Sequence, residues 1–139
     1  MKKHFKVLEL DKILAKLSEK IVIDRAREQA EAIEPSYDFD QVTRLISQTS
    51  DGLMLSMRFG APRFVNLCDP GEYIKRCKAG GVLSASELLS AAAILRQTRS
   101  LTDWKGQSVE VRSCLDDLFD RLSPRRQIEE RIFSVILSE

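Results

Sequence analysis

A single histidine, His4, stands in the 139 residues, close to the start of the chain. No cysteine neighbours it at metal spacing, which excludes a tetrahedral zinc site and imidazole-based catalysis. The three cysteines, Cys68, Cys77 and Cys114, are odd in number and form no CxxC pair. They exclude a disulfide framework and read as reduced thiols of a cytoplasmic protein. Only 6 glycines and 4 prolines punctuate the chain, which tilts the expectation toward helix. No Asn-Gly signal separates alternating apolar runs, so no hairpin is expected. Charge of one sign does not dominate either: the net charge is +1, so composition supplies no electrostatic case for nucleic acid, membrane or acidic substrates. The longest strongly apolar stretch, Leu88 to Leu95, is too short to span a bilayer. Met1-Lys2-Lys3 is basic, but acids break Val7-Leu8-Glu9-Leu10-Asp11, so no signal-peptide core follows. A Gly-x-x-x-x-Gly-Lys-Ser/Thr phosphate loop is missing, and with it that kind of nucleotide cradle.

What is present is helix-forming sequence. The most locally determined segment runs from Gly80-Gly81 through Ser84 to Arg99. Ser84 and Glu87 form a capping box, in which each side chain satisfies a backbone N–H at the other's position. Leu83 and Leu88 flank that start as a hydrophobic staple. Leucine, alanine and isoleucine then favour helix. The paired glycines let the preceding helix end in a sharp turn.

Periodicity places further helices on both sides. Val7, Leu10, Leu14, Leu17 and Ile21 make one apolar stripe, and a more polar helix follows from Asp24 to Ile33, stopped by Pro35. Asp38 and Gln41 open a third helix whose expected buried side is Val42, Leu45, Ile46, Leu53 and Met57. Gly52 inside it marks a kink or a close crossing. Gly60-Ala61-Pro62 ends it, and a loop runs to Cys68. Asp69-Pro70-Gly71-Glu72 opens a short helix carrying Tyr73, Ile74 and Cys77, with Asp69 as cap and Pro70 in the first helical position. Thr102 to Gly106 reads as a turn with Trp104 folded back on the core. Val111, Leu115, Leu118 and Leu122 make another helical stripe, and Ser123-Pro124 caps a last helix bearing Ile128, Ile132, Val135 and Ile136. The expectation is an all-α fold of about six or seven helices without a sheet, in one domain over residues 1–139.

Candidate functional residues are few. Lys75, Arg76 and Lys78, with Arg96 and Arg99 beyond the glycine turn, are the best basic concentration. Arg96 and Arg99 are three apart and share a helix face. Together the five could hold phosphates of DNA or RNA, against the alternative of a solvated helix face. Asp116, Asp117 and Asp120 gather carboxylates around one turn, but lack the interleaved ligands and glycine of a calcium loop. Cys77 and Cys114 are expected to pack as small hydrophobes. No catalytic, cofactor-binding or metal-binding residue emerges.

Gly80-Gly81-Val82-Leu83-Ser84, Glu87-Leu88-Leu89 and Leu95-Arg96 with Arg99 carry a resemblance. So do Leu8-Glu9-Leu10-Asp11-Lys12-Ile13-Leu14, Pro35-Ser36 with Asp38 and Val42, and Ile74-Lys75-Arg76. In that order they resemble the N-terminal region of the MutS-two family, the bacterial MutS paralogue without a mismatch-reading domain. The chain departs from the family at Ile23-Asp24-Arg25, where a small residue and a Gly-Lys pair are usual. Ala61-Pro62-Arg63-Phe64 replaces its Pro-Phe-Gly-Gly-like loop. The resemblance implies a helical scaffold without catalytic parts, joined to lever helices and an ATPase in a longer protein, since Ile132 to Leu137 shows no stop signal. It implies ATP and magnesium in that parent but no cofactor in this chain. The implied partners are the parent's other domains, a second subunit, and DNA or the ribosome, with no membrane. The family's roles are branched-DNA processing, suppression of recombination and rescue of stalled ribosomes. A free-standing helical interaction module is the alternative.

Overall fold

The computed structural model describes residues 9–65 and 67–137, the side chain of Leu137 excepted. His4, Val7 and the basic Met1-Lys2-Lys3 run lie outside the described residues. Among the described residues there are seven α-helices and no strand: α1 (Leu10–Ser18), α2 (Asp24–Glu31), α3 (Phe39–Phe59), α4 (Gly71–Lys78), α5 (Ala85–Gly106), α6 (Asp116–Phe119) and α7 (Arg126–Leu137). The all-α expectation holds. The chain divides into two compact units, Met1–Pro35 with Phe64–Asp69, and Ser36–Arg63 with Pro70–Glu139.

In the first unit α1 packs on α2. Arg27 fastens the turn between them, donating from Nη2 to the Ile21 carbonyl at 2.9 Å while Nη1 pairs with Asp24 at 3.1 Å. Ala30 is buried on α2. Asp69, expected to cap α4, lies one residue before the cap position and accepts from Arg25 Nη1 at 2.8 Å. Pro70 takes the cap position of α4 without a side-chain hydrogen bond, since its ring has no polar atom to offer.

In the second unit α5 is the longest helix and packs against α6 and α7. Ser84 caps it as expected: its Oγ accepts from the Glu87 N–H at 3.3 Å, and Glu87 Oε2 accepts from the Ser84 N–H at 2.8 Å. Asp38 likewise caps α3, accepting from the Gln41 N–H at 3.0 Å. The glycine turn is a Schellman ending: Gly80 N–H donates to Cys77 O at 3.0 Å and Gly81 N–H to Arg76 O at 2.9 Å. Gly80 has φ 82°, a left-handed conformation that glycine adopts without a Cβ penalty. Gly52 marks no kink, since α3 runs unbroken through it, and a Cβ there would sit at ordinary contact distance, 3.6 Å, from Leu115 Cδ1.

Three expectations are corrected. Thr102 to Gly106 is the last turn of α5. Thr98 and Thr102 return their hydroxyls to carbonyls four residues back, at 2.9 and 3.0 Å, and so stay inside the helix. Trp104 reaches from that turn to the Gly60 carbonyl, with Nε1 at 2.8 Å. The stripe from Val111 to Leu122 forms only the one-turn α6, because Ser113 and Asp116 bond to each other locally. The last helix begins at Arg126, beyond Ser123-Pro124.

Candidate nucleic-acid interface

The five basic residues fall into two groups. Lys75, Arg76 and Lys78 occupy the last turn of α4, where cations favour the negative end of the helix dipole. Lys75 pairs with Glu72 at 2.8 Å. Arg76 pairs with Glu87, the same carboxylate that closes the capping box of α5. Arg76 and the Ser84 backbone hold the Glu87 carboxyl well below its usual range, at about 2. Lys78 is exposed.

Arg96 and Arg99 lie farther along α5, about 14 and 18 Å from Glu87 at the helical rise per residue. They do share a face, but that face meets α7 and not open solvent alone. Glu129 on α7 receives both guanidinium groups: Arg96 Nε at 3.3 Å, Arg99 Nε at 3.0 Å and Arg99 Nη2 at 2.9 Å. The Glu129 side chain is 3% exposed. The two arginines draw its pKa below the ordinary value, with Arg99 the larger influence. Arg96 also lies over the Phe133 ring, 3.8 Å from its centroid. Arg99 extends to Asp103 at 3.7 Å. The geometry therefore joins Arg96 to Arg99 and leaves Lys75, Arg76 and Lys78 in a separate group. All but Lys78 are paired with carboxylates, which reduces the charge available to meet phosphate.

Glu129 is the residue that sequence reasoning missed, and a signal for it exists. Glu129, Ile132, Phe133 and Ile136 recur at three- and four-residue steps, so the glutamate occupies a position of the apolar stripe. An acid placed there calls for a buried cation nearby. Beside the ion cluster, Leu88 of α5 and Ile128, Ile132, Val135 and Ile136 of α7 line an open apolar groove of about 500 Å³.

Of the acidic cluster, Asp116 is committed to structure. Asp116 pairs with Lys105 at 2.8 Å and accepts from the Ser113 hydroxyl at 2.7 Å. These contacts, Lys105 first, lower its carboxyl to about 2. Among the described residues no three His, Cys, Asp or Glu side chains converge as metal ligands. All three cysteines are exposed, which corrects the expectation that Cys77 and Cys114 pack inside. Asp51 pushes the Cys114 thiol above its ordinary pKa, so Cys114 carries less thiolate than a free cysteine and is a weaker nucleophile. No helix among the described residues is long and apolar enough to cross a membrane.

These features define an all-α module in which Glu129, Arg96, Arg99, Glu87, Arg76, Asp116 and Lys105 join neighbouring elements through ion pairs. No family model matches the chain, and no solved structure matches it. Curated relatives do. The chain is 34% identical over 139 residues to Endonuclease MutS2 of Ruminiclostridium cellulolyticum, covering 99% of this chain and 18% of that protein. It is 31% identical over 140 residues to Endonuclease MutS2 of Acetivibrio thermocellus and 30% identical over 139 residues to that of Clostridium beijerinckii, with the same coverage. The chain is thus similar along nearly its whole length to the N-terminal region of MutS2 proteins. It spans 18% of the length of these relatives.

Proposed function

We propose that residues 1–139 are a non-catalytic helical scaffold of a longer MutS2-like protein. The observation that carries this reading is the match over 99% of the chain to 18% of an endonuclease. The relatives' name places nuclease chemistry in the whole protein, and the described residues here supply neither a metal cluster nor a nucleotide loop. On this reading the activity, with its ATP and magnesium, resides outside residues 1–139, and this segment holds the parts that act on DNA or the ribosome. Residues 1–139 serve the parent as one structural region. Its basic residues Lys75, Arg76, Lys78, Arg96 and Arg99 add at most weak phosphate contacts, because the charges of all but Lys78 are shared with local carboxylates.

The test compares two purified proteins, the 139-residue chain and the product of its complete reading frame, for ATP hydrolysis and nucleic-acid cleavage. The expected result is no turnover by the short chain and turnover by the long one. Turnover by the short chain, lost on changing one of its own residues, contradicts the scaffold reading.

A further inference from the structure

Helix α3 is two-sided in a way its surroundings do not use. One side faces the rest of its unit: Gln48 Nε2 donates to Cys114 O at 3.4 Å, Asp51 accepts from the Cys114 N–H at 2.7 Å, Gly52 approaches Leu115, and Leu55 is fully buried. At 100° per residue these positions fall within one arc. The opposite arc holds Phe39, Val42, Ile46, Leu53 and Met57. Of these Phe39 is 79% exposed, Ile46 62%, Leu53 63% and Met57 79%. Val42, Ile46, Leu53 and Met57 are four of the five residues that periodicity assigns to the core, and the structure leaves Val42 half-buried and turns the other three outward. Every other position on that arc is threonine or serine (Thr43, Thr49, Ser50). An uncharged face about 27 Å long results, with Phe39, Ile46 and Leu53 seven residues apart.

Such spacing suits a second helix lying nearly parallel or antiparallel to α3, with side chains interlocking. Three observations select the occupant. The stripe offers roughly 500 Å², short of the roughly 800 Å² per partner of a stable two-body interface. It carries no charge to steer or orient a diffusing partner. The full-length relatives contain more than four-fifths of their length outside the region matched here. A weak apolar seam closes readily when its partner is tethered, because the linker supplies an effective concentration in the millimolar range. We propose that the outer face of α3 is an intramolecular seam, covered by an apolar-striped helix of the same polypeptide from outside residues 1–139. The proposal rests on the scaffold reading above.

The test is thiol labelling of Ile46→Cys, in a background where Cys68, Cys77 and Cys114 are serine. Labelling is followed in the full-length protein, in the 139-residue chain and in each after denaturation. The seam predicts labelling at least tenfold slower in the native full-length protein than in the 139-residue chain, independent of protein concentration. In parallel, Leu53→Asp should lower the thermal midpoint of the full-length protein and leave that of the 139-residue chain unchanged. Equal labelling rates in the two native proteins overturn the seam and leave the scaffold reading standing. Protection that fades on dilution assigns the face to a second copy or another protein and also overturns it. A reading frame that stops at Glu139 removes the scaffold reading, and the seam with it.

Discussion

Arg99 of α5 and Glu129 of α7 form a two-point ion pair, Nε to Oε2 at 3.0 Å and Nη2 to Oε1 at 2.9 Å, around a carboxylate with 3% side-chain exposure. The arrangement fixes the register of α7 on α5, since a one-residue slip of either helix breaks both contacts. Removing Arg99 leaves the carboxylate buried with Arg96 alone. Because Arg99 is 35% exposed and Arg96 remains, Arg99→Ala should lower stability, but by less than loss of a partner from a fully enclosed pair. Urea unfolding measures this. A midpoint equal to that of the unaltered chain would show that the pair does not hold α7.

The ends of α4 and α5 should respond to backbone changes. Gly80→Ala places a Cβ in the left-handed region at φ 82° and should cost about 1 to 2 kcal/mol. Ser84→Ala removes the cap of α5 and should cost about 1 kcal/mol. The two sites are near one another, so the double variant should depart from additivity. Midpoints unchanged in both single variants would contradict the turn and cap geometry.

These two ends were legible in the sequence because their determinants lie within a few residues of each other. The same holds for Asp38 with Gln41. The faces were legible as stripes but not as inside or outside. Ile46 and Leu53 repeat on one side of α3 whatever covers them, and periodicity carries no information about a cover that lies elsewhere in a polypeptide. The end of α5 was misread because its last turn is held by Trp104 bonding to the distant Gly60 carbonyl. The basic candidates were found as residues but not as partners, because Glu129 comes 30 residues after Arg99 in sequence.

Stability should depend on acid pH in one direction. Glu87 and Asp116 titrate at about 2 in the folded chain against ordinary values of 4.5 and 3.8, and Glu129 is also lowered. A depressed folded pKa contributes stability that is complete above the unfolded value and is lost as pH falls through the folded one. Thermal midpoints should therefore be level above about pH 5 and decline from about pH 4.5 to pH 2. Glu87→Gln should make that decline shallower. A midpoint that stays level down to pH 2 would contradict the ion pairs.

Binding of the 139-residue chain to branched DNA or structured RNA should be weak and should fall steeply with salt, because phosphate contacts release counterions. Fluorescence anisotropy at low and physiological salt checks this. Tight, salt-resistant binding that survives combined Arg96→Ala and Arg99→Ala would contradict the account of these arginines.

The central claim is that residues 1–139 are a scaffold within a longer MutS2-like protein, and the complete open reading frame tests it most directly. The account predicts that the frame continues well past Glu139 and encodes a Gly-x-x-x-x-Gly-Lys-Ser/Thr phosphate loop several hundred residues downstream. A stop codon immediately after Glu139 would contradict it and leave a free-standing helical module.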